Sequence, residues 1–328
     1  MLLDFVIQLS KIVLLLFIIF GTFGNIFNLL IFTRPALLRS ACTLYFIAAS
    51  IDNLLALYTA VLLRLMTDAF AIDIGSISNP LCKVRVYVGY IALSLSPYCF
   101  ILACFDRYCS SSTSVQLRSW SNRKTAKKCI LGAIIASLVL YSHIPVGFKL
   151  EKLGPAIVCY PQSGVYNFFW RISYIVIYCF APCICMAVLC LLTIFNIRRQ
   201  SKQIQPTSMS TTTSTVMSTA VRLSRTHRRI DRNLVQMLFT QVLSQLLFIL
   251  PFAIVSLAEL FVDTTTQAFI VSKRFFTIPL FASYATSFYL YTMSSPVYRK
   301  EFLSIVSCVK QTYERGRTVA SSLSMCNS

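Results

Sequence analysis

The sequence predicts an all-α membrane protein, a bundle of seven transmembrane helices followed by a short amphipathic eighth helix. The chain has 328 residues, of which 56% are hydrophobic and only 12% are charged, and its mean hydropathy is +0.70. A soluble domain of this length has too little interior to bury so much apolar surface, whereas lipid can solvate it. Seven separate runs are long enough for a helix to cross the hydrocarbon, which takes about 20 residues.

The seven predicted helices follow one another with short connections, apart from one longer loop. The first run is too long for a signal peptide and lacks a small-residue cleavage site, so we expect it to remain as a spanning helix. After the seventh, Pro296–Leu303 mixes apolar and charged residues at helical spacing, which predicts a helix along the inner membrane surface. The spans are Val13–Phe32, Leu44–Met66, Val86–Tyr108, Cys129–Phe148, Ile172–Ile197, Leu234–Phe261 and Phe275–Met293.

Positive charge is distributed so that it orients the bundle. Most of the 30 lysines and arginines fall in one set of connections and in the C-terminal segment, with only Asp231, Glu301 and Glu314 as acidic residues there. The positive-inside rule places these segments in the cytoplasm and the N-terminus outside. Contact with anionic lipid then accounts for the net charge of +19, and we expect no nucleic-acid partner. The cytoplasmic cations are Arg34, Arg39, Arg118, Arg123, Lys124, Lys127, Lys128, Arg198, Arg199, Lys202, Arg222, Arg225, Arg228, Arg229, Arg232, Arg299, Lys300, Lys310, Arg315 and Arg317.

Two cytoplasmic segments have a different composition from the membrane domain, which we assign to residues 1–308. Residues 201–226, between the fifth and sixth helices, are rich in serine and threonine and predict a disordered third cytoplasmic loop. Residues 309–328 form a cytoplasmic tail. The Ser/Thr tracts in both are either flexible linkers or sites whose phosphorylation recruits desensitising partners. Cys308 is a candidate palmitoylation site.

Polar residues within the spans predict a pocket inside the bundle. Asp52 lies in an apolar run with no lysine or arginine within helical reach, so it is expected to face the interior. Asn25 is the matching polar residue of the first helix. These two residues either form a hydrogen-bonded packing cluster or bind a small cation such as sodium. The residues expected to complete the pocket are Ser96, Ser283 and Ser287.

The cytoplasmic end of the third helix carries the sequence Asp106-Arg107-Tyr108, and Asp231 begins the predicted sixth helix on the same side. One interpretation is an arginine that only extends towards lipid phosphates. The other is a charged link between two helix ends, which holds a bundle closed until something separates them.

Prolines lie in five of the predicted helices and favour kinks there, because each removes a backbone hydrogen bond. Pro182 in the fifth helix and Pro251 in the sixth are candidate hinges, with a static bend as the alternative at each position. The other three are Pro97, Pro145 and Pro279.

Cysteine placement predicts one disulfide. Of the 13 cysteines, only Cys82 and Cys159 fall in predicted extracellular segments. Two thiols in an oxidising compartment are expected to be bonded to each other.

Taken in order, these features resemble the rhodopsin-like (class A) G-protein-coupled receptors, and most closely their peptide-receptor branch. The resemblance covers nearly the whole chain, from Gly24 to Leu303. It implies a multi-pass receptor of the plasma membrane that transmits an extracellular signal to a heterotrimeric G protein, with arrestin and a receptor kinase as further partners. The matching residues are Asn25, Asp52, Cys82, Asp106, Arg107, Tyr108, Cys159, Pro182, Pro251 and Tyr291.

The resemblance also implies roles for several of these residues. Arg107 is released on activation and contacts the G protein, with Tyr291 in the same switch. A Cys82–Cys159 disulfide pins the second outer loop over the pocket, and Asp52 with Ser96 matches the family's sodium site. No other cofactor is expected.

Three departures from the family pattern concern the activation switch. Ser287-Phe288 stands in place of the Asn-Pro of the seventh helix, and the sixth-helix sequence Phe248–Pro251 lacks the usual tryptophan. The fourth-helix tryptophan is also missing, since the only tryptophans are Trp120 and Trp170. We therefore expect a different packing switch.

The ligand is predicted to be a short neuropeptide, with a small chemosensory molecule as the alternative. Gly89 stands where amine receptors have an aspartate, and Phe281 stands near the retinal lysine position of light receptors. The outer rim mixes charges and aromatic rings, and we expect rim acids to bind basic groups of a peptide and the rings its apolar side chains. The predicted pocket residues are Arg64, Arg85, Tyr90, Glu259 and Phe276, with Asp68, Glu151, Lys152, Asp263, Tyr87, Phe269 and Phe275 nearby.

Two other classes of protein are less consistent with the sequence. A transporter or channel would need a continuous polar path, often with internal repeats and broken helices, and neither is visible. An enzyme would need metal-ligand or nucleophile–base spacing, and with only two histidines the chain has neither, so we expect no catalysis.

Overall fold

The structure is a computed structural model that describes residues 2–153, 156–203, 216–262 and 266–308. Asp263, residues 204–215 and the tail 309–328 lie outside the described residues. The described chain is a bundle of long helices with one β-hairpin. The helices are α1 (Leu2–Phe32), α2 (Ala41–Phe70), α3 (Asn79–Ser110), α4 (Arg123–Leu140), α5 (Val165–Ser173, Tyr174–Phe180 and Ala181–Gln203), α6 (Val216–Ala258), α7 (Gln267–Ala285 and Ser287–Ser294) and α8 (296–308).

The seven-helix architecture agrees with the prediction, although the seventh crossing is less regular than the others. Six helices of the described chain, α1 to α6, are long and apolar enough to cross a membrane. The seventh, α7, is interrupted at Thr286, where one helical segment ends and the next begins. Lys273 and Arg274 in its outer half lower its hydropathy, so length and composition alone pick it out less clearly.

Helix ends differ from the hydropathy-based prediction because polar residues extend helices beyond the hydrocarbon. α1 begins at Leu2 instead of Val13, and α5 and α6 continue into the predicted disordered loop 201–226. That loop is helical at both its ends, at 201–203 and 216–226. The amphipathic helix predicted at Pro296–Leu303 is present as α8.

The predicted fourth helix was too long at its outer end. α4 ends at Leu140, and a single helical turn, Ile144–Gly147, follows with Pro145 at its start. Phe148, which we expected to end the helix, begins strand β1 (Phe148–Leu153) instead. Residues 144–148 are as apolar as the helix that precedes them, so hydropathy does not show where α4 ends.

An antiparallel β-hairpin in the second outer loop connects α4 to α5. β1 pairs with β2 (Ala156–Pro161) so that Leu150 lies opposite Cys159. Cys159 forms the expected disulfide with Cys82 in the first turns of α3, which confirms that pairing. The hairpin is therefore covalently attached to the outer end of α3.

α1 and α7 approach each other closely at two glycines. A Cβ atom on Gly21 would lie 2.8 Å from the Leu57 side chain and 3.0 Å from the Ala285 Cβ. A Cβ atom on Gly24 would lie 3.0 Å from the Phe288 Cβ. Small residues let membrane helices pack in this way. Because Gly21 and Gly24 have no side chain, α7 can lie directly against α1, and this contact positions the inner half of α7.

Candidate functional site

The cytoplasmic end of the bundle centres on Arg107, whose side chain is buried. Its Nη2 and Nε atoms donate to Asp106 Oδ2 at 2.6 and 3.1 Å, and its Nη1 atom donates to Asp231 Oδ1 of α6 at 2.8 Å. Nη2 also donates to Ser40 Oγ at 3.3 Å, and Asp106 Oδ1 accepts a hydrogen bond from Ser121 Oγ at 2.8 Å. One guanidinium group thus links α3, α6 and the start of α2.

The burial of this ion cluster is uneven. The side chains of Arg107 and Asp106 are 4% and 3% exposed, whereas that of Asp231 is 39% exposed. Removing a buried arginine from both carboxylates would be costly, but the Asp231 contact is already accessible to water. The link between α3 and α6 is the weaker of the two. Asp231 lies well inside α6, because the helix begins at Val216 and not near Asp231 as we predicted.

A cavity of about 340 Å³ opens beside Arg107 between α3, α5 and α6. Its lining is part apolar and part polar, so it suits a peptide segment better than a purely apolar group. Tyr108, the third residue of the predicted switch, is partly exposed at the same end of α3. The lining includes Arg107, Thr193, Arg232, Gln236, Leu238 and Phe239.

Tyr291 lies in an aromatic cluster that connects α7 to α1, α2 and α8. Its ring centroid lies 5.3 Å from that of Phe46, 5.7 Å from Phe32 and 5.9 Å from Tyr298. The Tyr298 hydroxyl donates to Asn28 Oδ1 at 2.5 Å. The Tyr291 side chain is buried within these aromatic contacts of the inner half, and its part in the switch stays a prediction.

The predicted cation pocket contains buried oxygen atoms without partners. Within the described chain, both carboxylate oxygens of Asp52 and the hydroxyl of Ser96 have no hydrogen-bond partner, although the two residues are 3% and 0% exposed. The Asn53 Oδ1 atom is also buried and has no hydrogen-bond partner within the described chain. Buried polar atoms normally have a partner, so these oxygens suit a bound cation or water.

The other three residues predicted for that pocket are engaged elsewhere. Asn25 Oδ1 accepts hydrogen bonds from Asn53 Nδ2 at 3.2 Å and Ser287 Oγ at 3.5 Å. Ser287 Oγ in turn accepts one from Asn28 Nδ2 at 3.1 Å. Ser283 donates to the Leu280 carbonyl of its own helix. The structure thus joins Asn25 and Ser287 directly, and Ser287 supplies both a donor and an acceptor where the family has an asparagine.

Two tyrosines in the middle of the bundle connect this network to the outer half. The Tyr284 hydroxyl donates to the Leu93 carbonyl of α3 at 2.5 Å, and the Tyr178 hydroxyl of α5 lies 2.7 Å from that of Tyr284. Because Tyr284 uses its proton on Leu93, Tyr178 must be the donor between them. The Tyr284 carbonyl accepts a hydrogen bond from Asn25 Nδ2 at 2.9 Å. These contacts lie beside Ile249, which occupies the position of the missing tryptophan.

The outer half contains an aromatic cavity of about 110 Å³ between α3, α5, α6 and α7. Tyr90, Trp170 and Tyr174 surround it with ring centroids 5.5 to 5.9 Å apart, and Phe252 closes it 6.0 Å from Tyr174. The Tyr174 ring also stacks on that of Tyr178, with their centroids 4.9 Å apart. The cavity therefore lies next to the pair formed by Tyr178 and Tyr284.

Three carboxylates at the outer end of the bundle are paired with cations of the same chain. Glu259 contacts Arg171 Nη1 at 3.2 Å and Lys273 Nζ at 2.5 Å. Asp68 is held in the same way by Arg64 at 2.9 Å and Arg274 at 3.0 Å. The third pair is Asp73 with Arg85.

The predicted pocket residues do not all meet in one place. Tyr90 and Glu259 line the aromatic cavity, and Phe276 packs against the cluster beneath it. Arg64 lies in a separate, smaller cavity with Asp68, and Arg85 is paired with Asp73.

The two candidate hinge prolines lie in different surroundings. Pro182 follows the π-helical segment Tyr174–Phe180, whereas Pro251 lies inside the continuous α6.

Sequence reasoning missed Arg171, Trp170, Ser256 and Lys273, all of which line the cavity. Arg171 directly precedes the predicted start of the fifth helix, where a cation is ordinary and gives no indication of a site. The signal that was available is the occurrence of two cations and one acid at the outer ends of three consecutive spans.

Comparison with known proteins gives two results. Residues 24–289 match the family described as 7 transmembrane receptor (rhodopsin family). The gastrin/cholecystokinin type B receptors of Mus musculus and Rattus norvegicus are 22% and 21% identical to this chain over 169 residues, which is 50% of the chain. The match spans 37% of the length of each of those receptors.

Proposed function

The chain belongs to the rhodopsin family of seven-transmembrane receptors, and we propose that it transmits the signal of an extracellular peptide to a heterotrimeric G protein. As a member of this family it is a multi-pass protein of the plasma membrane. The observation that carries the proposal is the Arg107 side chain, buried between Asp106 of its own helix and Asp231 of α6. This contact holds the inner ends of α3 and α6 together.

The proposed mechanism starts from the unequal strength of these two contacts. A ligand that moves the outer end of α6 also moves Asp231, because both lie on one continuous helix. The partly solvated Asp231 contact breaks first, which frees Arg107 Nη1 at the wall of the cavity of about 340 Å³ that this side chain already lines. A segment of the G protein that inserts there contacts the Arg107 guanidinium group beside the apolar and polar side chains of the lining. Binding of that segment stabilises the open state. The ligand activates the receptor for the same reason, because it binds the open state more tightly than the closed one.

A peptide ligand is supported by the two receptors of similar sequence, which are receptors for gastrin and cholecystokinin by name. The aromatic cavity of about 110 Å³ supports it as well. A small-molecule site usually has a volume of about 300–1,000 Å³. A cavity this small takes one side chain or chain end of a larger ligand, whose remainder lies on the outer surface.

Sodium at Asp52 is part of the proposal, because the residues present suit a hard cation. Asp52 and Ser96 would hold it through the three buried oxygens that lack partners. Asn25, Ser283 and Ser287 would act at a distance through the network around them. Arrestin and a receptor kinase are further proposed partners, acting on the Ser/Thr tracts.

Substitution of Arg107 tests the proposal. In cells that respond to a peptide ligand, Arg107→Ala is expected to reduce G-protein signalling at least tenfold while surface expression stays close to that of the unmodified receptor. The reason is that the cation exposed by opening is lost. Arg123→Ala, which removes an exposed cation from the same face, is the matched control and should signal normally. Unchanged signalling by Arg107→Ala would disprove the mechanism.

A further inference from the structure

The outer end of the bundle presents positive charge to an incoming ligand. The rim acids that we expected to bind basic groups are already occupied: Glu259 and Asp68 each contact two cations. The Glu259 side chain is 12% exposed and that of Lys273 is 37% exposed, so the ammonium group is more accessible than the acid. Among the described residues of the three clusters, five cations face three carboxylates.

The Glu259 cluster joins three helices. Arg171 belongs to α5, Glu259 directly follows α6, and Lys273 belongs to α7. Arg171 is fixed further by hydrogen bonds to Tyr160 Oη of β2 at 3.1 Å and to the Glu259 carbonyl oxygen at 3.4 Å. A single carboxylate therefore holds the outer ends of α5, α6 and α7 together, as Arg107 holds α3 and α6 at the inner end.

The aromatic cavity lies directly beneath this cluster. Arg171, Glu259 and Lys273 line it together with the rings described above. Ser256 lines it as well, is 3% exposed, and its hydroxyl has no hydrogen-bond partner within the described chain. A buried hydroxyl without a partner is unusual, and it points to a ligand group that supplies one.

We propose that this site binds a carboxylate attached to a small apolar or aromatic group, and that the ligand is acidic. The carboxylate takes the place of Glu259 between Arg171 and Lys273, the apolar group fills the aromatic cavity, and a polar atom of the ligand reaches Ser256. Displaced Glu259 turns to solvent, and the outer end of α6 is no longer attached to α5 and α7. This inference rests on the proposed receptor function for its biological meaning, but the binding step itself needs no G protein.

The site can be tested by measuring how matched pairs of small probes bind to the purified full-length protein in lipid nanodiscs. N-acetylphenylalanine carries a terminal carboxylate, and N-acetyl-glutamyl-leucine amide carries a side-chain carboxylate. Their neutral counterparts are N-acetylphenylalanine amide and N-acetyl-glutaminyl-leucine amide. The shift of the thermal unfolding midpoint with probe concentration, at low salt, gives the apparent affinity. We expect at least one acid to bind about tenfold or more tightly than its amide, because charge-assisted contacts are strong where water is partly excluded. Which acid binds identifies the source of the carboxylate.

Variants of the cluster, compared with a charge change elsewhere on the outer surface, separate this site from general electrostatics. Glu259→Gln should strengthen binding of the acid about tenfold, because the competing internal carboxylate is lost. Lys273→Gln and Arg171→Gln should abolish the preference for the acid. Lys149→Gln is the matched control: it removes the same charge from the hairpin, where Lys149 is 48% exposed and paired with Glu151, and should leave binding unchanged.

The proposal is overturned if neither acid binds better than its amide to the unmodified protein at about 10 mM. It is equally overturned if Lys149→Gln weakens binding as much as Lys273→Gln does. The comparison of acid with amide needs no variant, so it decides the matter even if Arg171→Gln fails to fold. A negative result leaves the receptor assignment intact, and a negative result for Arg107→Ala leaves this site intact, since one experiment reads binding and the other reads signalling.

Discussion

Arg107 and Glu259 occupy opposite ends of the bundle but share one arrangement. Each is a charged group held between two groups of opposite charge, at least one of them on another helix. Such a group can lose one partner and still keep a charged partner, so it is never an unpaired charge at a buried position. The cost of changing partner is therefore smaller than the cost of breaking an isolated buried pair, which is about 3–5 kcal/mol.

Neutralising Asp231 tests this view of the inner end. Asp231→Asn is expected to raise ligand-independent signalling about fivefold, because an ion pair with one half-exposed partner contributes about 1 kcal/mol to the closed state. Accumulation of second messenger at equal surface expression measures the effect. Glu301→Gln is the control, since Glu301 pairs with Arg34 at 3.7 Å on the same side without linking α3 to α6. Basal signalling that does not change, or that rises equally in both variants, would contradict the role of Asp231.

At the scale of elements, the sequence predicted the helices well and the connections poorly. Every spanning run became a helix, because a membrane leaves the backbone of an apolar segment few other ways to form its hydrogen bonds. The hairpin at Phe148–Pro161 was missed, because its six-residue strands are short beside the long apolar runs from which the helices were predicted. Asp52 and Arg107 were identifiable because charge within a span is rare. Lys273 and Arg171 were not, because charge at the end of a span is ordinary.

The contact between α1 and α7 allows a test at this scale. Gly21→Val would place its side chain less than about 3 Å from Leu57 and Ala285, and overpacking of this kind costs about 1–3 kcal/mol. We expect a lower thermal unfolding midpoint in nanodiscs. Gly132→Val in α4 is the matched control, because nothing lies within 4 Å of the Cβ position there. Equal midpoints for the two variants would show that α1 and α7 are not in close contact.

The whole molecule is organised by the separation of charge across the membrane. The inner side carries most of the basic residues, and the outer side carries the paired clusters around Asp68, Asp73 and Glu259. An N-terminus outside and a C-terminal segment inside require an odd number of crossings, and α7, the least regular of the seven, is the crossing that places α8 on the inner side. The switch at Arg107 and the ligand site at Glu259 are separated by α4, α5 and α6, so these three crossings place them on opposite sides, and α7 determines only the side of α8.

Labelling of cysteines in intact cells checks this topology. In a background with Cys308 and Cys326 both replaced by serine, a membrane-impermeant maleimide should label Ser163→Cys in the second outer loop at once, and Ser119→Cys only after permeabilisation. With Cys326→Ser alone, the native Cys308 reports on α7 itself: after hydroxylamine treatment to remove any thioester, it should become reactive only in permeabilised cells. Labelling of Cys308 or of position 119 from outside would refute the seven-crossing arrangement.

A column of hydrogen bonds runs down the inside of the bundle and limits which substitutions this protein tolerates. It begins at Tyr178, passes through Tyr284, Asn25 and Ser287, and ends at Asn28 and Tyr298. Most members both donate and accept, so an apolar replacement at one position strands a polar neighbour inside the bundle, at about 1–3 kcal/mol for each orphaned atom. Single changes are then disfavoured, whereas paired changes that remove or exchange two adjoining members together are tolerated. In related chains we expect residues 28, 287 and 298 to vary in concert, so that the column is inherited as a unit.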